Sequence, residues 1–147
     1  MIENFFKHLD YHPYIEPPTY VAAAGNFSPS LRFPARCANV LAAGAYDSNT
    51  RQTPPFARYS AVPSDRFVMA SGGGDELPYG KDAKGFPFQG TSFSAAIVSA
   101  VVGQIAAAHA CSSARRECVM SRLPDVTATD ELIDTFEPSI HGLGVIA

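Results

Sequence analysis

Charged residues are scarce in this sequence of 147 residues. They make up 17% of the chain, the formal net charge is −3, and none occurs between Lys84 and Arg115. The only adjacent basic pair is Arg115-Arg116, so no basic patch offers a surface for phosphate groups. The composition therefore gives no reason to expect nucleic acid as a partner. Its 46% of hydrophobic residues favours a buried α/β core over a disordered chain.

Long hydrophobic segments are also lacking. Residues 1–8 place an acid before a base and contain no extended apolar stretch, which predicts no secretory signal there. The alanine-rich run of residues 95–108 is interrupted by Ser99, Gly103 and Gln104, so it predicts a buried helix rather than a transmembrane span. We therefore expect no membrane partner, and the compartment stays open.

Cysteine is rare, with Cys37, Cys111 and Cys118 as the three residues of this type. An odd number without the spacing of metal ligands predicts neither a metal site nor a disulfide framework. Cys111 and Cys118 are seven residues apart, which leaves a bridge between them possible, but we expect unpaired thiols. We expect no cofactor.

Three short segments have the character of buried parallel strands, because they are dominated by apolar residues and end at polar or glycine-rich turns. They are Tyr20–Ala24, Asn39–Ala45 and Phe67–Ala70. A long helix is predicted from Thr91 to Ala110, and because it carries no charge it should be buried nearly all round. Shorter helices are predicted over residues 2–10 and 113–122, and over 126–133 with Thr129 as its cap. The pattern predicts an α/β fold with a parallel sheet.

The most informative stretch is Gly90-Thr91-Ser92-Phe93-Ser94-Ala95, which leads into the long helix. Ser92 is predicted in the first helical turn, where free backbone N–H groups and the positive end of the helix dipole favour negative charge. A serine in this place is either an N-cap or a nucleophile, and taken alone the cap is the commoner role. The segments upstream decide in favour of the nucleophile.

Four segments, in this order along the chain, resemble the subtilisin-like serine proteases, or subtilases. They are Val21-Ala22-Ala23-Ala24-Gly25-Asn26, Phe33-Pro34-Ala35, residues 39–45 and Gly90-Thr91-Ser92-Phe93-Ser94-Ala95. The matched core covers about residues 19–108, and residues 141–146 resemble the segment that closes the family's catalytic domain. The resemblance implies that residues 1–147 are the carboxyl-terminal part of such a domain. The implied fold is a partial three-layer α/β structure with a parallel sheet and a buried central helix after the Gly-Thr-Ser turn.

The resemblance also implies roles for individual residues. Ser92 would be the nucleophile of a serine endopeptidase, and Asn26 would donate to the oxyanion of the tetrahedral intermediate. A specificity pocket for a peptide or protein substrate is implied as well, together with a cis peptide bond at Phe33–Pro34. The residues implied at this pocket are Ala22, Ala23, Ala24, Gly25, Phe33 and Pro34.

The sequence departs from the family pattern at the general base. Subtilases have their catalytic residues in the order Asp, His, Ser, and no aspartate or histidine of this sequence stands in the family's context. His109 follows Ser92 by 17 positions, about 25 Å along a continuous helix, which excludes it as the base. The other histidines, which lie in unrelated surroundings, are His8, His12 and His141.

Two functions therefore stay open. In the first, the chain is part of a subtilisin-type endopeptidase, needs an amino-terminal half that carries the missing Asp and His, and is inactive alone. In the second, it is a non-catalytic subtilase-like module that binds or supports a partner. An α/β-hydrolase is disfavoured, because Gly-Thr-Ser-Phe-Ser lacks the second glycine of the nucleophile elbow.

Overall fold

The computed structural model describes residues 17–74, 79–111, 115–129, 133 and 136–146. Four strands form the sheet: β1 Tyr20–Ala23, β2 Val40–Tyr46, β3 Phe67–Ser71 and β4 Val145–Ile146. The α-helices are α1 Thr91–Ala108, α2 Arg116–Arg122 and α3 Pro138–His141. Short 3₁₀ turns cover Pro55–Ala57 and Leu123–Val126.

The strands lie in the order β1-β2-β3-β4, and every neighbouring pair is parallel. In the register, Ala22 lies opposite Ala42, and Gly44 lies opposite Met69. The parallel α/β fold predicted from the sequence is confirmed, and the three predicted strands are found within a residue of their expected bounds. Strand β2 is buried over all of its seven residues, which explains its lack of charged side chains.

Both faces of the sheet are covered by apolar clusters. On one face, Val98, Val102 and Ile105 of α1 pack with Leu41 and Val68 of the sheet. The cluster on the opposite face combines strand side chains with residues of the loop between β2 and β3, among them Phe56, Tyr59, Val62, Phe67 and Met69. The described residues of this second face are therefore loop segments and short turns rather than long helices.

Helix α1 is buried along one stripe. The stripe consists of Thr91, Ser94, Val98, Val102 and Ile105. The predicted burial of this helix is confirmed for the stripe only, because its opposite side is exposed, with Ala96, Ser99, Ala100, Gly103 and Ala107. The helix also ends at Ala108, two residues before its predicted end.

Cys111 and Cys118 form a disulfide that connects the end of α1 to α2. The prediction of unpaired thiols is therefore wrong for this pair. In the folded chain the two Cα atoms lie 5.8 Å apart, which is within bridging distance and cannot be deduced from the spacing of the cysteines along the sequence. Cys37 is a free, buried thiol.

The shorter predicted helices have different outcomes. The helix over residues 2–10 lies outside the described residues, and the one over 113–122 is found as α2. The helix over 126–133 is wrong at its start, because the backbone of Ala128 pairs with Val145 of β4 through two hydrogen bonds of 2.8 Å. Beyond it, the N–H of Ile133 donates to the C=O of Thr129 at 3.0 Å, and residues 130–132 lie outside the described residues.

A glycine-to-alanine pair tests the packing of the sheet. A Cβ at Gly44 would lie 2.2 Å from Cζ of Phe67, so Gly44→Ala should lower the free energy of unfolding by about 1–3 kcal/mol. Nothing lies within 4 Å of a Cβ at Gly103, so Gly103→Ala should raise it by up to about 1 kcal/mol through helix propensity. Urea denaturation followed by circular dichroism measures both effects. Equal stability of the two variants would contradict this account of β2.

Candidate active site

The loops that follow β1 and β3 meet the start of α1 at the carboxyl end of the sheet. The side chain of Asn26, just beyond β1, accepts a hydrogen bond from the N–H of Thr91. The C=O of Gly72, just beyond β3, accepts one from the N–H of Gly90 at 2.8 Å. Loops at the carboxyl ends of parallel strands are where α/β proteins commonly bind ligands. This edge is therefore the candidate site.

Thr91 joins the β1 loop to α1. Its N–H and its hydroxyl both donate to Oδ1 of Asn26 at 3.0 Å, and its Oγ1 accepts the N–H of Gly25 at 3.1 Å. A backbone N–H can only donate, so the Asn26 atom that faces it is the oxygen. The amide nitrogen Nδ2 lies on the other side of the group, and no described residue accepts a hydrogen bond from it. Asn26 is exposed, so this donor remains available.

Ser92 is the second residue of α1, and its side chain is exposed. The N-cap position is occupied by Gly90, and the first N–H of the helix is capped by Asn26 instead. The N-cap role for Ser92 is therefore excluded. Its hydroxyl makes no hydrogen bond to a described residue, and it lies at the positive end of the helix dipole.

Ser94 fixes the start of α1 onto β3. Its Oγ donates to the C=O of Ala70 at 3.0 Å, and the side chain is fully buried. A Cβ at Gly72 would lie 2.8 Å from this oxygen, so the loop passes close to Ser94 only because residue 72 is glycine. From the sequence only Ser92 stood out, and the anchoring roles of Ser94 and Thr91 were not predicted. The available signal was their spacing with Val98, which places all three on the buried side of the helix.

Gly25 is held from both sides in a left-handed conformation, with φ at 107°. Its N–H donates to Thr91, and its C=O accepts the hydroxyl of Tyr59. Tyr59 is buried, its ring packs edge-on against Phe67 at 5.7 Å between centroids, and burial raises the pKa of its phenol. A Cβ at Gly25 would also lie 2.4 Å from Cγ of Arg32. Both conformation and space therefore require glycine directly before Asn26.

The predicted pocket residues of β1 face two different environments. The side chains of Ala22 and Ala24 are buried in the core, whereas Ala23 and Gly25 are partly exposed. This follows from the alternation of side chains along a strand. A substrate at this strand would contact Ala23, since the N–H and C=O groups of Ala24 and Gly25 are already hydrogen-bonded within the protein. Their role in substrate binding stays a prediction.

The second predicted pocket segment is the loop that carries Phe33 and Pro34. The peptide bond between these residues is cis, as the resemblance implies. Phe33 is 39% exposed, so its ring is accessible to a ligand, while Ala35 is fully buried and anchors the loop in the core. Contact between this loop and a substrate also stays a prediction.

Neither histidine of the described residues lies in a position to act as a base for Ser92. His109 follows the last residue of α1 and so lies at the far end of the helix, about 25 Å from its start. His141 directly precedes Gly142 and Leu143, which contact Phe67 at the amino end of β3. The start of α1 is bound at the opposite, carboxyl end of this strand, through Ser94 and Ala70. Nδ1 of His141 accepts the N–H of Glu137 at 2.8 Å, and burial lowers the pKa of this imidazole. The two others, His8 and His12, lie outside the described residues. The described site therefore holds a serine hydroxyl and an amide donor without a base.

A serine at the start of a helix on a parallel sheet, with an amide donor held beside it, is an arrangement suited to acyl transfer. The model of the subtilase family matches residues 9–135 of the sequence. The chain therefore belongs to the subtilase family, the S8 peptidases, as the four segments at 21–26, 33–35, 39–45 and 90–95 predict.

Several solved structures with this fold are maturation proteases. The prenylagaramide maturation protease PagA is 23% identical, with a TM-score of 0.61, and the match covers 88% of this chain and 47% of PagA. The self-cleaved protease domain of PatA is 25% identical, with a TM-score of 0.59 and coverages of 86% and 46%. The PatG macrocyclase in complex with peptide is 18% identical, with a TM-score of 0.60 and coverages of 87% and 40%. Comparison with curated proteins gave no match. This chain spans less than half the length of these solved relatives.

Two substitutions at Asn26 distinguish the role of its side-chain oxygen as an acceptor from that of its amide nitrogen as a donor. Asn26→Ala removes the acceptor of the Thr91 N–H and should lower the free energy of unfolding by about 0.5–2 kcal/mol, as for other lost helix caps. Asn26→Asp keeps a carboxylate oxygen for this N–H and places a negative charge at the helix start, so stability should be retained. Thermal denaturation at pH 7 compares them. If Asn26→Asp loses as much stability as Asn26→Ala, Asn26 does not cap α1.

Tyr59 should make stability decrease at alkaline pH. Its pKa is raised by burial, so the folded state favours the neutral phenol. This contribution is complete below the unfolded pKa of about 10 and is lost as the pH rises above it. Urea denaturation between pH 8 and 11 should show a steeper loss of stability for the parent chain than for Tyr59→Phe, which has no phenol to ionise. Parallel curves would rule out a buried, neutral Tyr59 as the cause.

Proposed function

We propose that this chain supplies the nucleophile and the oxyanion donor of a subtilisin-type serine endopeptidase. The observation that carries the proposal is that Thr91 binds Asn26 on one side and is followed directly by Ser92. The accessible hydroxyl and the available amide Nδ2 are thereby held at one edge of the sheet. Membership of the subtilase family supports the same roles.

The reaction uses these groups in two steps. Oγ of Ser92 attacks the carbonyl carbon of a peptide bond while its proton passes to a base. The negative charge that develops on the carbonyl oxygen is stabilised by Nδ2 of Asn26 and by the N–H of Ser92, which has no acceptor within the first helical turn. The C–N bond then breaks, the base returns its proton to the leaving amine, and water hydrolyses the ester on Ser92.

The proposed substrate is a peptide or a protein. One structural relative is a macrocyclase whose structure contains a peptide, and we extend this class of ligand to the present chain. The proposed contacts are Ala22, Ala23, Ala24, Gly25, Phe33 and Pro34. Ala22 and Ala24 are buried, and the N–H and C=O groups of Ala24 and Gly25 are already hydrogen-bonded within the protein. A peptide along this segment would therefore contact it chiefly at Ala23.

The base is proposed to come from an amino-terminal half of a subtilase domain that carries the family's Asp and His. The proposal is supported by the positions of the two described histidines, since His109 lies beyond the far end of α1 and His141 lies near the amino end of β3. Residues 1–147 would then be the carboxyl-terminal part of the catalytic domain and inactive alone. A serine without its base retains only the rate that binding and the oxyanion donors provide.

The same observation supports one second candidate. A subtilase-like module that binds or supports a partner needs no base, and the described residues near Ser92 contain none. This module would keep the fold and the Thr91 hydrogen bonds for stability alone. The two functions differ in whether the Ser92 hydroxyl becomes reactive when an Asp and a His are supplied.

Labelling with a fluorophosphonate probe distinguishes them. The isolated chain should be labelled no faster than Ser92→Ala, because its hydroxyl stays protonated at neutral pH. Addition of an amino-terminal half with the Asp and His segments should accelerate labelling of the parent chain and leave Ser92→Ala unlabelled. The increase in labelling rate should be large, since triad enzymes that lack the base retain a rate acceleration of only about 10³–10⁴-fold over the reaction in water.

Asn26→Asp serves as a second control in this experiment, because it keeps the cap of α1 but loses the amide donor. Its labelling in the presence of the amino-terminal half should be slower by about 10²–10³-fold, a loss measured in subtilisin itself when an oxyanion donor is removed. If Ser92 stays unreactive after the amino-terminal half is added, the chain is the non-catalytic module that binds or supports a partner. Fast labelling of the isolated chain would instead show that residues 1–147 contain their own base.

A further inference from the structure

Arg32 places a positive charge beside the segment that is proposed to bind substrate. Its side chain lies directly against Gly25, because a Cβ at Gly25 would be 2.9 Å from Cβ and 2.4 Å from Cγ of Arg32. The backbone N–H of Arg32 donates to the C=O of Ala24 at 2.8 Å, so the main chain is fixed at the same place. Gly25 is followed directly by Asn26, the proposed oxyanion donor. The stem of Arg32 therefore contacts the residue that precedes this donor.

The guanidinium of Arg32 is exposed and has no partner in the part of the chain that the structure describes. No described carboxylate forms a salt bridge with it, and no described acceptor receives a hydrogen bond from it. An arginine of this kind packs its stem on the protein surface and keeps its charged end in water or on an anion. The charged end is thus free to pair with an anion that is bound beside Gly25.

The electrostatic surroundings of this guanidinium are positive. From residue 17 to residue 46 the charged residues are Arg32 and Arg36, and the segment contains no aspartate or glutamate. The next acid along the chain, Asp47, is buried and accepts the N–H of Asn49 at 3.0 Å. The positive end of the α1 dipole lies beside Asn26, which caps this helix. This part of the site therefore favours an anionic ligand over a cationic one.

The loop that carries Arg32 is held in place from within the protein. Its C=O accepts the N–H of Arg36 at 3.0 Å, which closes a turn. The guanidinium of Arg66 binds the rest of this turn, donating to the C=O groups of Ala35 at 3.0 Å, Arg36 at 3.3 Å and Val40 at 3.4 Å. A carboxylate would therefore meet a backbone that is already ordered, which lowers the entropy cost of binding.

We infer that Arg32 is a specificity-determining residue, which selects peptides that carry aspartate or glutamate at the residue whose carbonyl carbon is attacked by Ser92. The inference rests on the proposed function, in which Asn26 binds the oxygen of that carbonyl. The side chain of the attacked residue leaves the peptide one bond from this carbon, so its place is beside the residue before Asn26. That residue is Gly25, against which Arg32 packs. The guanidinium and a carboxylate can form two parallel hydrogen bonds there.

Peptide binding to the full chain with Ser92→Ala tests this preference without chemistry. The probes are peptides of sequence Ala-Ala-Xaa-Ala-Ala, with Glu, Gln or Lys as Xaa, acetylated and amidated so that a side chain carries the only charge. Nuclear magnetic resonance titration measures their affinities for the chain alone and in the presence of the amino-terminal half. We expect the Glu peptide to bind about 10-fold more tightly than the Gln peptide and the Lys peptide to bind most weakly. High salt should reduce the difference, because it screens the charges.

Substitutions at Arg32 should change this preference in a defined direction. Arg32→Gln removes the charge but keeps the Cβ and Cγ atoms that contact Gly25, so the Glu and Gln peptides should bind equally. Arg32→Glu should prefer the Lys peptide. Arg122→Gln is the matched control, because it removes the same charge from α2, which follows the end of α1 remote from Ser92. This control should keep the preference of the parent chain, and circular dichroism checks that each variant is folded.

Three results would overturn the inference: equal affinities of the parent chain for the Glu and Gln peptides, a preference for Glu that persists in Arg32→Gln, or no binding of any peptide. Equally tight binding of an uncharged peptide with a free carboxyl terminus would assign Arg32 to a chain end instead of a side chain.

The outcome is independent of the test of catalysis. A preference for Glu in a chain that stays unreactive towards fluorophosphonate with the amino-terminal half would leave the Arg32 site in place and contradict the proposed catalysis. Labelling of Ser92 in the presence of that half, without a preference for Glu, would contradict the role of Arg32 alone.

Discussion

The hydrogen bonds between Thr91 and the β1 loop are the interaction on which the candidate site depends. They join two segments that are 65 residues apart along the chain, one at the end of a strand and one at the start of a helix. A single threonine, almost fully buried, caps the helix through Asn26 and fixes Gly25 at the same time. Without these contacts, no hydrogen bond would join the β1 loop, which carries the amide, to the start of α1, which carries the serine hydroxyl.

The rest of the local structure reinforces this connection. Ser94 ties the first turn of α1 to the end of β3, and Tyr59 holds the carbonyl of Gly25 from the opposite face of the sheet. Gly25 and Gly72 leave the space in which these contacts form. Preorganisation of this type matters for acyl transfer, because donors that are already oriented need not reorganise when charge develops. The proposed nucleophile and oxyanion donor are thus held at one edge of the sheet, and in the proposed reaction the base comes from another segment.

The two sides of the long helix differ in their packing. Helix α1 is buried where it meets the sheet, and the residues on its exposed side are small and uncharged.

The residue pattern by itself determined the three principal strands, the long helix and the family, because uncharged apolar segments and the Gly-Thr-Ser signature are local properties. The roles of Ser92 and Asn26 are predicted only through resemblance, since 66 positions separate them in the chain, and they stay predictions. Tertiary structure decided the rest. It alone placed the Cys111–Cys118 pair within bridging distance, turned Ala22 and Ala24 into the core, and made Thr91, Ser94 and Tyr59 the supports of the site. These outcomes depend on which side of a helix or strand packs against which neighbour. The composition of a segment shows only that it is apolar and does not contain that information.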